Sequence, residues 1–332
     1  MRIAGIVESL DHVCCRYRLR AFAPRLHDAG HQLDLTPLPR CWWQRLSLGR
    51  DNSDVTVLQR KLLAPIETTL LRRRAKKLIF DFDDAVWLRD SYSRKGFHDP
   101  KRAHRFQTVV GQCDAIAAGN PFLADYSAYW VRGIPIRVVP TCVDVHRYRL
   151  AAHDAPVGSA TLVWIGSTST LQGLQEITPW LDGLADKQPG LALRMICDSF
   201  LTLPHLRTEA IPWNEITEIE QLATADIGIS HVPDDLWSRG KCGLKVLQYM
   251  AAGLPVIANP VGVQATMVRH GETGLHARTE REWHDAIRQL ANDPDLRIQM
   301  GRAGRRLVEE KYSIDAGAQH WLNLTHRERK TA

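Results

Sequence analysis

The chain has 332 residues, 44% of them hydrophobic and 24% charged, the proportions of a globular protein with room for two domains of ordinary size. No apolar run approaches the ~20 residues of a membrane span. The seven cysteines are odd in number and lack C-x-x-C spacing, which speaks against a disulfide framework or a zinc site. A net charge of +6 and a pI near 9.0 favour anionic partners. No aromatic-basic recognition pattern accompanies that charge, so no nucleic acid is expected; nucleotide phosphates and a membrane surface remain.

Residues 1–7 are rich in Ile, Val, Ala and Gly, as a buried parallel strand is, and Glu8 follows too soon for a signal peptide. Reduced cytoplasm is the expected compartment. A loop to Arg16 leads into a helix with Tyr17, Leu19, Phe22, Ala23 and Leu26 inward, closed by Gly30, and residues 31–36 form a second strand. Arg16 and Arg18 are either exposed helix charges or cations that reach a phosphate. Pro37 and Pro39 open an irregular stretch in which Trp42 and Trp43 lie among Arg40, Arg45 and Arg50. The tryptophan pair suits a lipid headgroup layer, an acceptor pocket or the core, core being the simplest. Residues 54–59 are a third strand, and a helix is predicted from Arg60 to Lys77, its basic end suiting the macrodipole. Residues 78–84 are a strand running into Asp81, Asp83 and Asp84, at the end where open α/β sheets place function. A helical stretch around 101–110, a strand at 113–119, a helix at 121–130 and a strand at 136–144 complete this half.

Residues 147–159 are small, polar and aperiodic, as a linker is. Residues 161–166 restart the pattern with strand, glycine and a hydroxyl-rich helix start, Ser167 to Thr170, whose hydroxyls cap the helix or accept phosphate. Strands follow at 191–197 and 225–230; between them Trp213 is either a base contact or a buried tryptophan. Pro233-Asp234-Asp235 has turn chemistry. Residues 237–258 then read as loop, helix, tight turn and strand. Leu244, Leu247 and Ala251 fall at helical spacing and face a core, while Gly253 and Pro255 end the helix. On the other face Lys241, Lys245 and Gln248 are spaced i, i+4, i+7, one polar row if the helix or its entry turn extends back to Lys241. Two ammonium groups beside the N–H groups of Gly243 and Leu244 make an anion site, and a glutamine one turn further in bonds hydroxyls. Phosphate first and hydroxyls next is the polarity of a nucleoside diphosphate. An ordinary surface helix with two solvated lysines is the plain alternative. Helices at 283–291, 295–310 and 312–324 end the chain.

The run Gln248-Tyr-Met-Ala-Ala-Gly-Leu-Pro-Val256 resembles the donor-site motif of family 4 glycosyltransferases, in which two glutamates with seven residues between them lead into an Ala-Met-Ala-x-Gly-x-Pro-Val run. Gly240 and Gln248 stand at the two glutamate positions. Asp81-x-Asp83-Asp84-x-x-Trp87 and Pro140-Thr-x-Val-Asp144 resemble further segments of that family. The resemblance implies a GT-B fold: two Rossmann-like doubly wound α/β domains facing across a cleft, with an acceptor-side domain at 1–150, a nucleotide-sugar domain at 151–311, and a helix at 312–332 crossing back to the first. It implies a retaining glycosyltransferase of the hexosyltransferase type, metal-independent despite the D-x-D at 81–83. The nucleotide-diphosphate sugar is then a substrate and no cofactor is needed. The acceptor is a glycan or lipid-linked hydroxyl, in polysaccharide or glycoconjugate biosynthesis, in the cytoplasm or at the inner face of the membrane. The implied donor site takes Gly166, Ser167, Trp213, Asp235, Lys241, Gly243, Leu244, Lys245 and Gln248, with Arg16 and Arg18 as phosphate candidates from the first domain. Lys245 neutralises the departing diphosphate, Asp83 and Asp84 contact the acceptor hydroxyl, and Asp234 or Asp235 stands in for the first glutamate. Two rivals are a GT-B-like sugar-nucleotide isomerase and a non-catalytic sugar or nucleotide binder, the latter suggested by the missing glutamates.

Overall fold

A computed structural model describes residues 1–325; residues 326–332, the end of the expected terminal helix, lie outside the described residues. The strands are β1 (Arg2–Val7), β2 (Gln32–Pro37), β3 (Val55–Gln59), β4 (Leu78–Phe82), β5 (Ala115–Ala118), β6 (Ile136–Val138), β7 (Ser159–Ile165), β8 (Gly190–Cys197), β9 (Arg207–Pro212), β10 (Ile227–Ser230), β11 (Val256–Ala258) and β12 (Gly274–His276). They form two six-stranded parallel sheets, β2-β1-β3-β4-β5-β6 and β12-β11-β10-β7-β8-β9. The inner strands β3, β4, β5, β10 and β11 are buried along their whole length. Helices cover both faces of a sheet built from βαβ crossovers, which is why these strands read as continuous apolar runs. Strands β9 and β12 and their pairing were not expected from the sequence; both are edge strands.

The chain divides into two compact units. The first contains Met1–Cys142, Asp235–Cys242 and the described residues from Ile314; the second contains Val143–Asp234 and Gly243–Ser313. In the first unit, alternation along β4 sends Phe80 and Phe82 to one side of the sheet and Ile79 to the other. Phe80 and Phe82 stack at 4.9 Å and pack with Phe106 and with Trp87, whose own ring stacks on Tyr126 at 3.8 Å. The opposite layer joins Ile3, Phe22 and Val57 to Trp321. Trp321 comes from the helix Ile314–Thr325, which lies against the helix Ala23–Asp28, where Arg25 pairs with Asp315. The second unit closes around Trp164, Leu193, Ile227, Trp283 and Leu290.

Each sheet has one place where neighbouring strands lead their connections to opposite sides: between β1 and β3 in the first, and between β7 and β10 in the second. Open α/β sheets hold ligands at the carboxyl ends of such strands.

Candidate functional site

At the carboxyl end of β7 the chain turns through Gly166 into the helix Thr168–Gln175, capped by Ser167. The indole of Trp164 lies directly beneath that turn. A Cβ on Gly166 would fall 2.4 Å from the ring and 2.6 Å from the Thr170 hydroxyl, so only glycine lets the backbone pass. Ser167 N donates to Thr170 Oγ1 at 3.1 Å, Thr168 N donates to Asp198 Oδ1 at 2.7 Å, and the hydroxyls of Ser167 and Ser169 meet at 2.9 Å. Polar groups thus ring the N-terminus of this helix.

The helix Leu244–Ala251 supplies a cation to the same place. Lys245 Nζ stands 4.0 Å from the centroid of the Trp164 ring and donates to Thr170 Oγ1 at 3.2 Å. An ammonium on an aromatic face is attracted by the ring quadrupole. It lies at the positive end of the helix Thr168–Gln175, so an anion held there gains from the lysine and the helix terminus together. Gln248, one turn further along, is buried at 3% exposure. The ends of β10 and β11 beside this site are locked by a buried network. Ser230 Oγ donates to Gln264 Oε1, Gln264 Nε2 donates to Asn259 O at 3.1 Å, and the Asn259 side chain exchanges bonds with the Val232 backbone at 3.0 and 2.6 Å.

The helix does not extend back to Lys241. Gly243 takes φ +69°, a left-handed conformation, and the helix starts only at Leu244. Lys241 lies outside it, in the first unit, with Nζ 5.8 Å from the centroid of the Trp237 ring. Of the donor candidates, Gly166, Ser167, Gly243, Leu244, Lys245 and Gln248 belong to the second unit, Lys245 beside the Gly166–Ser167 turn. Trp213 is in the same unit, 43% exposed at the end of β9, two strands from β7, with Nε1 donating to Glu218 Oε2 at 2.6 Å. Asp235 belongs to the first unit and caps the short helix Leu236–Arg239, accepting from Ser238 N at 2.7 Å. Gly240 packs so closely that an added Cβ would lie 2.7 Å from Ala85 N. The position of the family's first glutamate therefore has no room for a side chain.

In the first unit Arg18 is 1% exposed, its guanidinium bonded to both oxygens of Asp81 and to Val139 O at 2.8 Å. It forms a buried ion pair, so neither it nor Arg16, buried at 7%, is an exposed helix charge. Asp81 also accepts from Gln59 at 3.0 Å. Asp83 and Asp84 are served by Arg60, at 3.6 and 2.6 Å. Arg60 was predicted inside a helix. It instead has φ +60° in the turn after β3, and the helix begins at Pro65. Its guanidinium also donates to Cys14 Sγ at 2.8 Å. Burial pushes both carboxyls up; the pull of Arg60 and Arg18 prevails at Asp83, which sits below the usual carboxylate range, whereas burial prevails at Asp84, which sits above it. Burial, with Arg60 adding to it, lowers His12. Beside this cluster the Asn120 amide donates to three successive carbonyls, of Arg239, Gly240 and Lys241, at 3.2, 3.0 and 3.0 Å. Arg60, Asn120 and Trp164 were not singled out from the sequence. The one local signal for each was its place in, or just after, a buried strand.

Residues 227–307 match the family described as "Glycosyl transferases group 1". Over 63 residues the chain is 41% identical to a D-inositol 3-phosphate glycosyltransferase of Corynebacterium aurimucosum, a match covering 18% of this chain and 15% of that one. Against further glycosyltransferases of that description it spans about half of their length or less. Among solved structures it is similar to a glycosyltransferase from Rickettsia africae, with 14% identity, a TM-score of 0.74, and coverage of 100% of this chain and 99% of the other. It is also similar to Anabaena HepE in complex with UDP and glucose, with 12% identity, a TM-score of 0.67, and coverage of 97% and 98%. These likenesses establish the GT-B fold.

Proposed function

We propose that this chain, which carries the group 1 glycosyltransferase segment on a GT-B fold, transfers a sugar from a nucleotide-diphosphate donor to an acceptor hydroxyl with retention at the anomeric carbon. The observation that carries the proposal is the Lys245 ammonium at the N-terminus of the helix Thr168–Gln175. Breaking a sugar–phosphate bond leaves its electron pair on the diphosphate. Cations and N–H groups already aimed at that oxygen lower the barrier most. Lys245 and the N–H groups at the start of its own helix, from Gly243 and Leu244, supply this charge. Gln248 then serves the ribose and Trp213 the base. Asp83, held ionised by Arg60, accepts a hydrogen bond from the acceptor hydroxyl, with Asp84 beside it.

The donor is a substrate, no metal is required, and the acceptor is a glycan or lipid-linked glycan of polysaccharide or glycoconjugate biosynthesis, met in the cytoplasm or at the inner membrane face. Among the described residues no helix is long and apolar enough to cross a membrane. Calorimetry against a panel of nucleoside diphosphates, then turnover of the matching sugar nucleotide with and without a chelator, tests this. Tight binding of one diphosphate and chelator-resistant transfer are expected; no binding across the panel refutes the donor site. A non-catalytic binder is the alternative favoured by Gly240, whose contact with Ala85 excludes a sugar-binding side chain there. Binding without turnover over a range of acceptors would select it.

A further inference from the structure

The connection between β2 and β3 takes no part in the donor site. It carries a one-turn helix, Trp42–Arg45, none of whose side chains is buried. Trp42 is 64% exposed and Trp43 59%, so neither belongs to the core. Their rings meet edge to face at 6.2 Å. Ile66, 63% exposed, stands at the start of the neighbouring helix Pro65–Arg74, beside Glu67, which faces Arg45 at 3.8 Å. Clustered large apolar side chains in water are unfavourable unless something covers them.

The connection is held in shape. Arg74 donates to the carbonyls of Leu46 and Leu48, and Arg45 Nε donates to Pro39 O at 2.7 Å. The two indoles are therefore presented on a fixed turn. From Pro39 to Arg50 the charges are Arg40, Arg45 and Arg50, with no acid among them, and Arg40 and Arg50 are exposed. Asp51, next in the chain, accepts from Ser53 N. Indole has an apolar body and one N–H donor, which suits the boundary between acyl chains and headgroups, and arginines beside it suit anionic headgroups.

We propose that Trp42 and Trp43, with Arg40 and Arg50, form a docking surface for an anionic lipid bilayer. The surface holds whether or not the donor-site assignment does. The test is co-sedimentation of the full chain with vesicles of phosphatidylcholine alone or mixed equally with phosphatidylglycerol. The parent protein pellets with the mixed vesicles at low salt and remains in solution with the neutral ones. Trp42→Ala with Trp43→Ala reduces binding about tenfold or more. Arg40→Gln with Arg50→Gln weakens it and flattens its salt dependence. Both double variants keep the parent's circular dichroism and thermal transition, since the exchanged side chains lie outside the core. The proposal is overturned if the parent stays in the supernatant with mixed vesicles, if it binds neutral vesicles equally well, or if the tryptophan variant binds as the parent does.

Discussion

Removing the Lys245 charge tests the donor site most directly. Two variants are informative. Lys245→Ala deletes both the ammonium and the methylenes that reach the indole face, whereas Lys245→Met keeps an apolar chain over Trp164 and loses only the charge and its donors. A charge-assisted hydrogen bond to phosphate is worth roughly 1.5–3 kcal/mol, so either variant should bind a nucleoside diphosphate about ten- to a hundredfold more weakly. Binding should not vanish, because the N–H groups at both helix starts and the hydroxyls of Ser167 and Thr170 remain. A nucleoside without phosphates should bind both variants as it binds the parent. The lysine also contributes to the resting fold through its contact with Trp164 at 4.0 Å, worth about 0.5–2 kcal/mol. Lys245→Ala should therefore melt slightly below the parent, and Lys245→Met closer to it. Titration calorimetry with the diphosphate and the nucleoside, beside thermal melts, gives all four quantities. If a folded Lys245→Met variant binds the diphosphate as tightly as the parent, the phosphate does not lie at Lys245.

Three further outcomes follow from the packing. Gly240→Glu, which restores the family's usual residue, should destabilise the protein by about 1–3 kcal/mol through overpacking against Ala85 and give no gain in transfer, read by urea denaturation and sugar-nucleotide turnover. Arg18→Met should cost about 3–5 kcal/mol because it leaves Asp81 buried without its cation, and adding Asp81→Leu should recover most of that loss in the same denaturation series; a near-neutral single variant would show that the pair is not the internal bridge described. His153 is 7% exposed, with Nε2 on Gly253 O at 2.8 Å and no hydrogen-bond partner at Nδ1 among the described residues, and burial lowers it from 6.5. Its neutral form is favoured in the fold, so its share of stability is complete above about pH 6.5 and declines as pH falls toward the lower folded value; His153→Phe should show a shallower acid limb in stability measured from pH 7 to 5.

The sheets were legible because each strand buried on both faces is written as an apolar run. The turn from Met250 to Val256 was legible because its cap and its short strand are local features. What failed to show depends on distant partners. Arg18 and Asp81 are far apart in sequence, and nothing near Arg18 signals that its charge is consumed inside the core. Arg60 looked like a helix residue because the acids that hold it follow β4, on the next strand. The i, i+4 spacing of Lys241 and Lys245 does not place both on one helix, since the left-handed Gly243 stands between Lys241 and the helix start at Leu244. For Trp42 and Trp43 a lipid headgroup layer, an acceptor pocket and the core all stayed open, because composition cannot tell a buried tryptophan from an exposed one.

The membership of the first unit has a consequence for how the protein is made. Asn120 holds a segment that ends at Cys242, and the sheet layer containing Ile3 and Phe22 is completed by Trp321. When Cys142 has been synthesised, the first unit still lacks both pieces. The roughly 180 residues from there to the end of the Ile314–Thr325 helix take about 10–40 s to add at ~5–20 residues per second. During that interval the seat for Trp321 stands open on a nascent chain, and the seat for residues 235–242 is open for roughly its first half. The unit encoded first is therefore finished last, and a fragment cut at the linker would be an interrupted intermediate of translation rather than a domain.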